Sequence, residues 1–412
     1  MFNQRKPQSR IHQHPGARPL STHDKIDVCR GLFAFLVVLA HSLELAWTIN
    51  PEVPGRLPWL TRRVLENGFG NGIFWVMGFF VISGYCIYLS AERLVDGNSF
   101  PLRQYLTARV TRIVPLYYIA LLFTGVVEWW IAAGRPMMWP NGLSSRVFLY
   151  QLLFIQNFTE TYGCYAPSWS ITNEAFYYVY FGLIVFAAVR LSKWPAAIGM
   201  GTCMLIGVAA QLVHRLGYRS PAMMQFGLLF GLGINWFLGA IVAEHRDWLV
   251  HNRTVQAVAK CWPVLLALTI GLWCTQRVHL EFVFVSSGLA FTLMLVQFLI
   301  SDEQRIGNAP KVSGPERPIV AMLGLCSYPT YLFHGPMLTL FGWFIVHWKL
   351  NLDWRLTWAF SAIIAIACGI ALGYLAEKPI LAWRAALLRR QKPVRRDPVY
   401  GAVERPILGI NR

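Results

Sequence analysis

The sequence predicts an all-α integral membrane protein with about ten transmembrane helices around a polar central cavity. Three observations carry this expectation. The 412 residues are 55% hydrophobic and 14% charged, with a mean hydropathy of +0.43, whereas soluble domains carry about 25% charged residues. Apolar runs near or above the ~18 residues needed to cross a bilayer recur along the chain. Ionisable side chains sit inside some of these runs, where they are costly and mark functional sites by default.

In chain order the expected spans are 27–48, 70–92, 113–133, 170–190, 196–213, 224–243, 260–276, 281–300, 319–347 and 356–378. The first follows a polar stretch and lacks a small-residue cleavage site, so it is expected to remain as an anchor. The ninth contains Pro329 and Gly335-Pro336 and is expected to kink or break there. The outer loop 134–169 includes Val147 to Phe158, too short to span and expected to lie at the interface or re-enter. Residues 1–24 read as a disordered basic arm, 25–384 as the membrane domain and 385–412 as a basic cytoplasmic tail.

Ten spans place both termini on one side. On that side lie 27 of the 37 Lys and Arg residues, against 10 on the other, which predicts cytoplasmic termini in a bacterial plasma (inner) membrane. The net charge of +17 does not indicate nucleic acid, because the basic residues fall in short loops and tails between apolar runs. No Cys-x-x-Cys pair occurs among the eight cysteines. Neither a disulfide nor a metal site is expected.

The polar residues within the spans supply the chemistry. His41 lies eleven residues beyond Arg30 in the first span, about 16 Å along a helix axis. Glu44 follows at i+3 and can share its face. The fourth span opens with Pro167-Ser168-Trp169-Ser170 and carries Glu174 at a depth like that of His41. A carboxylate that orients an imidazole is the usual arrangement for a general base, so Glu174 is expected to pair with His41. Arg109 and Arg112 are spaced to share one helix face and suit phosphate recognition. Ser327, Tyr331 and His334 fall in the interrupted ninth span. Ser83-Gly84 in the second suits close helix packing.

The order of these motifs is more specific than any one of them. Asp27-x-x-Arg30-Gly31 with His41, Phe79-Phe80-x-x-Ser83-Gly84-Tyr85, Arg109-x-x-Arg112-Ile113-x-Pro115, Ser168-Trp169-Ser170-x-x-x-Glu174, Ser327-Tyr328-x-x-Tyr331-Leu332-x-His334-x-Pro336 and Glu377-Lys378-Pro379 together resemble the acyltransferase-3 family. These are membrane O-acyltransferases of bacterial surface polysaccharides and nodulation factors. The resemblance covers about residues 24–384. It implies ten core helices, no permanently bound cofactor, acetyl-CoA as co-substrate and a saccharide or glycoconjugate acceptor. It also implies that Arg30 and His41 are needed for activity and that Arg109 and Arg112 meet the CoA donor. Pro329 within the Ser-Tyr-x-x-Tyr motif departs locally from the pattern.

On this basis His41 and Glu174 are the expected catalytic pair. Arg30, Arg109 and Arg112 are expected at the donor end. Trp169, Ser170, Tyr331, His334 and Ser327 are expected around the acceptor, with Tyr331 or Ser327 as oxyanion donor. The alternative is a multi-span transporter or flippase of a glycolipid or acyl group, which would also combine many spans, broken helices and polar groups at mid-membrane.

Overall fold

The computed structural model describes residues 20–131, 142–189, 194–217, 220–306 and 317–391. Among them the regular structure is helical apart from one isolated bridge, Asp96 with Ser99. The principal helices are α1 (Thr22–Ile49), α2 (Ile73–Glu92), α3 (Leu102–Trp130), α4 (Trp169–Ala188), α5 (Pro195–Arg215), α6 (Pro221–Glu244), α7 (Trp262–Cys274), α8 (Leu280–Ile306), α9 (Pro318–His347), α10 (Trp354–Leu372) and α11 (Lys378–Gln391).

Among the described residues, eight helical stretches are long and apolar enough to cross a membrane. A ninth arises if Arg253–Ala259 and α7, which meet at 44°, form one broken span. These stretches leave out α9, whose 30 residues span about 45 Å at 1.5 Å per residue. Its tyrosines, prolines and His334 dilute its hydropathy, yet it packs between α1 and α10. With α9 included, the bundle matches the expected number of helices.

Local sequence explains the helix starts. Ser21 and Asp24 form a capping box: Ser21 Oγ accepts from Asp24 N at 3.1 Å, and Asp24 Oδ2 accepts from Ser21 N at 2.9 Å. This pair satisfies two donors at the helix start, so α1 begins at Thr22, ahead of the first apolar residues. Of the expected basic arm, 1–19 lie outside the described residues, and 22–24 already belong to α1. The start of the expected tail continues α11 to Gln391, and 392–412 lie outside the described residues. Helix α3 begins at Leu102, so Arg103, Arg109 and Arg112 lie on the helix itself rather than before it.

The ninth span, expected to kink or break at its prolines, does not break: α9 is helical from Pro318 through both prolines to His347. Each proline removes one backbone bond, but neighbouring helices can hold such a segment within a bundle. Gly335 lies directly against the Cys164 carbonyl, and Gly369 of α10 lies against Thr330. The segment after Ser144 forms a short helix, Ser145–Leu152. Its Gln151 is buried and donates to Tyr117 Oη at 2.6 Å and Ser168 Oγ at 2.7 Å. Gln156, also buried, donates to Tyr117 Oη and Thr172 Oγ1. This stretch therefore turns inward and ties the start of α4 to α3. Residues 134–141 of the same loop lie outside the described residues.

Two close approaches set the helix geometry. A Cβ at Gly84 would land on the Trp236 carbonyl oxygen, and one at Gly239 on the Val81 carbonyl oxygen, so α2 and α6 cross backbone to backbone. A Cβ at Gly31 would lie 2.7 Å from Leu323 Cβ, which brings α1 against α9. The buried aromatics Tyr177, Phe181, Trp236 and Phe237 fill the space beside the first crossing.

Gly84→Ala is expected to force α2 from α6 at a cost of about 1–3 kcal/mol. The thermal midpoint of the detergent-solubilised protein should fall. Gly201→Ala, where a Cβ meets open space, should not lower it; equal midpoints for the two variants would contradict the packing.

Candidate active site

The polar groups of the interior form three layers. Helices α1 and α9 run side by side in the same direction: Asp27 lies against Gly324 near their starts, and the ring of His41 stacks on that of His334 further along. The end near Asp27 holds the arginines. Arg30 Nη1 lies 3.5 Å from Asp27 Oδ1. Arg109 Nη2 donates to Ser90 Oγ of α2 at 2.7 Å. Arg112 forms an ion pair with Glu377, which is fully buried, and its guanidinium lies 5.3 Å from the centre of the Tyr328 ring. Arg30 and Arg112 are within electrostatic range of one another, so the two cationic motifs of the sequence meet.

The middle layer is built on Glu174. Its Oε1 accepts from Ser83 of α2 and, at 2.5 Å, from Tyr178 Oη one turn further along α4. Trp236 Nε1 of α6 donates to Ser83 Oγ at 3.2 Å. The Ser83-Gly84 pair thus divides its work: Gly84 admits α6, and Ser83 holds the carboxylate. Cys86, one turn from Ser83, is exposed although Arg30, Asp27, Arg109 and Glu174 surround it from α1, α3 and α4.

The third layer contains both histidines. His41 Nδ1 lies 3.0 Å from Glu44 Oε2. Donation from Nδ1–H to the carboxylate leaves the lone pair on Nε2, the arrangement of an oriented general base. The His41 and His334 ring centroids are 5.2 Å apart with planes 18° from parallel. His334 is fully buried; its Nδ1 lies 2.6 Å from the Tyr331 carbonyl oxygen, and its Nε2 has no hydrogen-bond partner. Tyr331 Oη donates to the Pro167 carbonyl at 3.0 Å and lies 2.7 Å from Ser170 Oγ. These bonds fix the start of α4 against α9.

The structure therefore brings His41, His334, Tyr331 and Ser170 together, and Arg30 with Arg109 and Arg112. The expected contact of His41 with Glu174 is not among the hydrogen bonds and ion pairs of the described residues; the carboxylate seen on His41 is Glu44, its i+3 neighbour on the same helix face. Ser327 does not turn into the site: its hydroxyl donates to Gly324 O of its own helix at 2.9 Å, as serines within helices commonly do. The Tyr331 proton is engaged at Pro167. Trp169 is half-buried edge-on to Phe80, with ring centroids 6.3 Å apart. Sequence reasoning gave no role to Tyr178 or Trp236. Tyr178 follows Glu174 at i+4, a spacing that does announce a shared face; nothing local announces Trp236.

An all-helical membrane bundle with arginines at one end of its interior and an oriented histidine at the other defines a membrane-embedded enzyme of group transfer. Residues 23–374 match the acyltransferase domain of the acyltransferase-3 family, nearly the whole described bundle, and the chain belongs to that family. No curated protein and no solved structure matches it.

The Arg112–Glu377 pair carries a stability prediction. Removing one partner of a buried pair costs about 3 kcal/mol or more, while removing both costs less. Arg112→Gln and Glu377→Gln should each lower the thermal midpoint, and the double variant should recover part of the loss. Additive losses would show that the two residues are not coupled.

Proposed function

We propose that the protein transfers an acyl group, acetyl foremost, from acyl-CoA to a hydroxyl of a saccharide or glycoconjugate. The donor arrives from the cytoplasm at the arginine end, and the acceptor from the outer side of the plasma membrane at the histidine end. The observation that carries this reading is the His41–Glu44 dyad stacked on His334, about 16 Å along α1 from Arg30. Guanidiniums favour phosphate oxygens in a fork geometry. Arg30, Arg109 and Arg112 therefore suit the phosphates of CoA. The pantetheine arm then runs past Cys86 and Glu174 toward the histidines.

In the proposed reaction His41 Nε2 takes the proton of the acceptor hydroxyl as its oxygen attacks the thioester carbonyl. The C–S bond breaks, the ester forms, and the proton passes to the departing CoA sulfur. Glu44 holds the imidazole and stabilises its protonated form. The His334 ring lies stacked on that imidazole and limits its movement. Glu174 serves from the middle layer by fixing Ser83 and Tyr178 along the donor's course. No permanently bound cofactor enters this scheme. A transporter would share the spans and the polar interior, but membership of an acyltransferase family favours chemistry over transport.

His41→Ala should abolish release of CoA thiol from acetyl-CoA in membranes while leaving the level of inserted protein unchanged. Glu44→Gln should lower turnover by about tenfold or more, within the usual range for a disturbed general base. Wild-type turnover by His41→Ala would overturn the mechanism. Absence of turnover by the wild type with every hydroxyl acceptor would favour transport.

A further inference from the structure

The family match ends at residue 374, yet the helix beyond it returns to the arginine layer. Glu377, at the end of the π-helical turn Gly373–Glu377, pairs with Arg112. Seven residues on, two turns along the same face, Arg384 of α11 donates through Nε and Nη2 to the Ala108 carbonyl, at 3.2 and 3.1 Å. Ala108 precedes Arg109 in sequence and lies one turn before Arg112, on the same face of α3. Arg384 is accordingly within electrostatic range of both Arg109 and Arg112.

Four guanidiniums thus converge: Arg30, Arg109, Arg112 and Arg384. Two carboxylates face them, Asp27 on Arg30 and Glu377 on Arg112. Neither Arg109 nor Arg384 has a carboxylate within ion-pair distance among the described residues. Ala108 engages two of the five N–H bonds of Arg384, leaving donors for a ligand. Like charges drawn together with too few counter-charges are stable when an anion completes them, and an anion bearing several phosphate oxygens suits the donors of Arg109 and Arg384 that no carboxylate engages.

We infer that α11 is part of the donor site and that Arg384 binds a phosphate group of the coenzyme A moiety. This rests on the proposed use of acyl-CoA. Ala108 anchors the guanidinium, and Glu377 fixes the register of the helix that carries it. The same phosphate chemistry is offered by an anionic lipid headgroup, which the test separates.

The test uses the purified full chain, with coenzyme A binding and acetyl-CoA turnover measured for the wild type, Arg384→Gln and Arg384→Lys. Arg384→Gln should raise Kd and KM about tenfold with kcat within about twofold, as expected for loss of ground-state binding. Arg384→Lys, which keeps the charge and loses the fork, should fall between. Dephospho-coenzyme A or free ADP should compete more weakly with the wild type than coenzyme A, and the difference should shrink in Arg384→Gln if the contact is to the 3′-phosphate. Unchanged Kd and KM in Arg384→Gln, with the wild type active, would overturn the inference and leave the proposed function standing. Loss of kcat in step with a lowered thermal midpoint would assign Arg384 a purely structural role and also overturn it. Dependence of the Arg384 effect on phosphatidylglycerol vesicles, with coenzyme A affinity unchanged, would assign the site to lipid instead. A wild type that neither binds coenzyme A nor consumes acetyl-CoA would remove the proposed function itself.

Discussion

The seam between α1 and α9 is the contact on which the rest of the molecule depends. Gly31 leaves room for Leu323, and Gly324 leaves room for the Asp27 carboxyl. The two helices can then run in parallel at close range. That approach stacks His41 on His334 and keeps Arg30 at the opposite end of the same helix. One rigid element thereby measures the separation between the charged layer and the imidazole layer. The other helices complete each layer from the side: α3 and α11 at the arginines, α2, α4 and α6 at Glu174, and the start of α4 at Tyr331.

Several of the polar groups inside the apolar bundle are assigned to one another. Glu174 takes two hydroxyls, Glu377 takes a guanidinium, and Tyr331 is held by a carbonyl. A polar group in such surroundings without a partner is costly. The fully buried His334 Nε2 has none within the protein, and the same holds for the Thr330 hydroxyl one turn away and for Glu377 Oε2. What distinguishes His334 is its position, stacked on the ring of His41 beside Glu44.

Much of this was legible in the sequence, for definable reasons. Apolar runs and their length announce membrane helices directly, and local spacing announced the shared faces of Arg109 with Arg112 and of His41 with Glu44. Hydropathy understates α9, because the residues that build the site are the ones that dilute it. Of the kink or break expected at Pro329 and Gly335-Pro336, the break is absent; packing against the Cys164 carbonyl and Gly369 is invisible to local rules. Glu174 was singled out as an interior carboxylate, and its i+4 partner Tyr178 has a readable spacing, but its partner Ser83 and the Trp236 indole behind it come from other helices, and no spacing predicts them. Arg384 reads as one more basic residue near the end of the chain until α11 folds back on α3.

The central claim is that the arginine layer and the histidine layer are the two ends of one route across the membrane. The direct measurement is sided turnover in sealed vesicles of known orientation, with membrane-impermeant acetyl-CoA supplied to one face and an impermeant glycan acceptor to the other. Ester should form only when acetyl-CoA meets the face carrying the arginine layer and the termini, and it should appear on the glycan in the opposite compartment. Ester formation with donor and acceptor confined to the same side would contradict the claim.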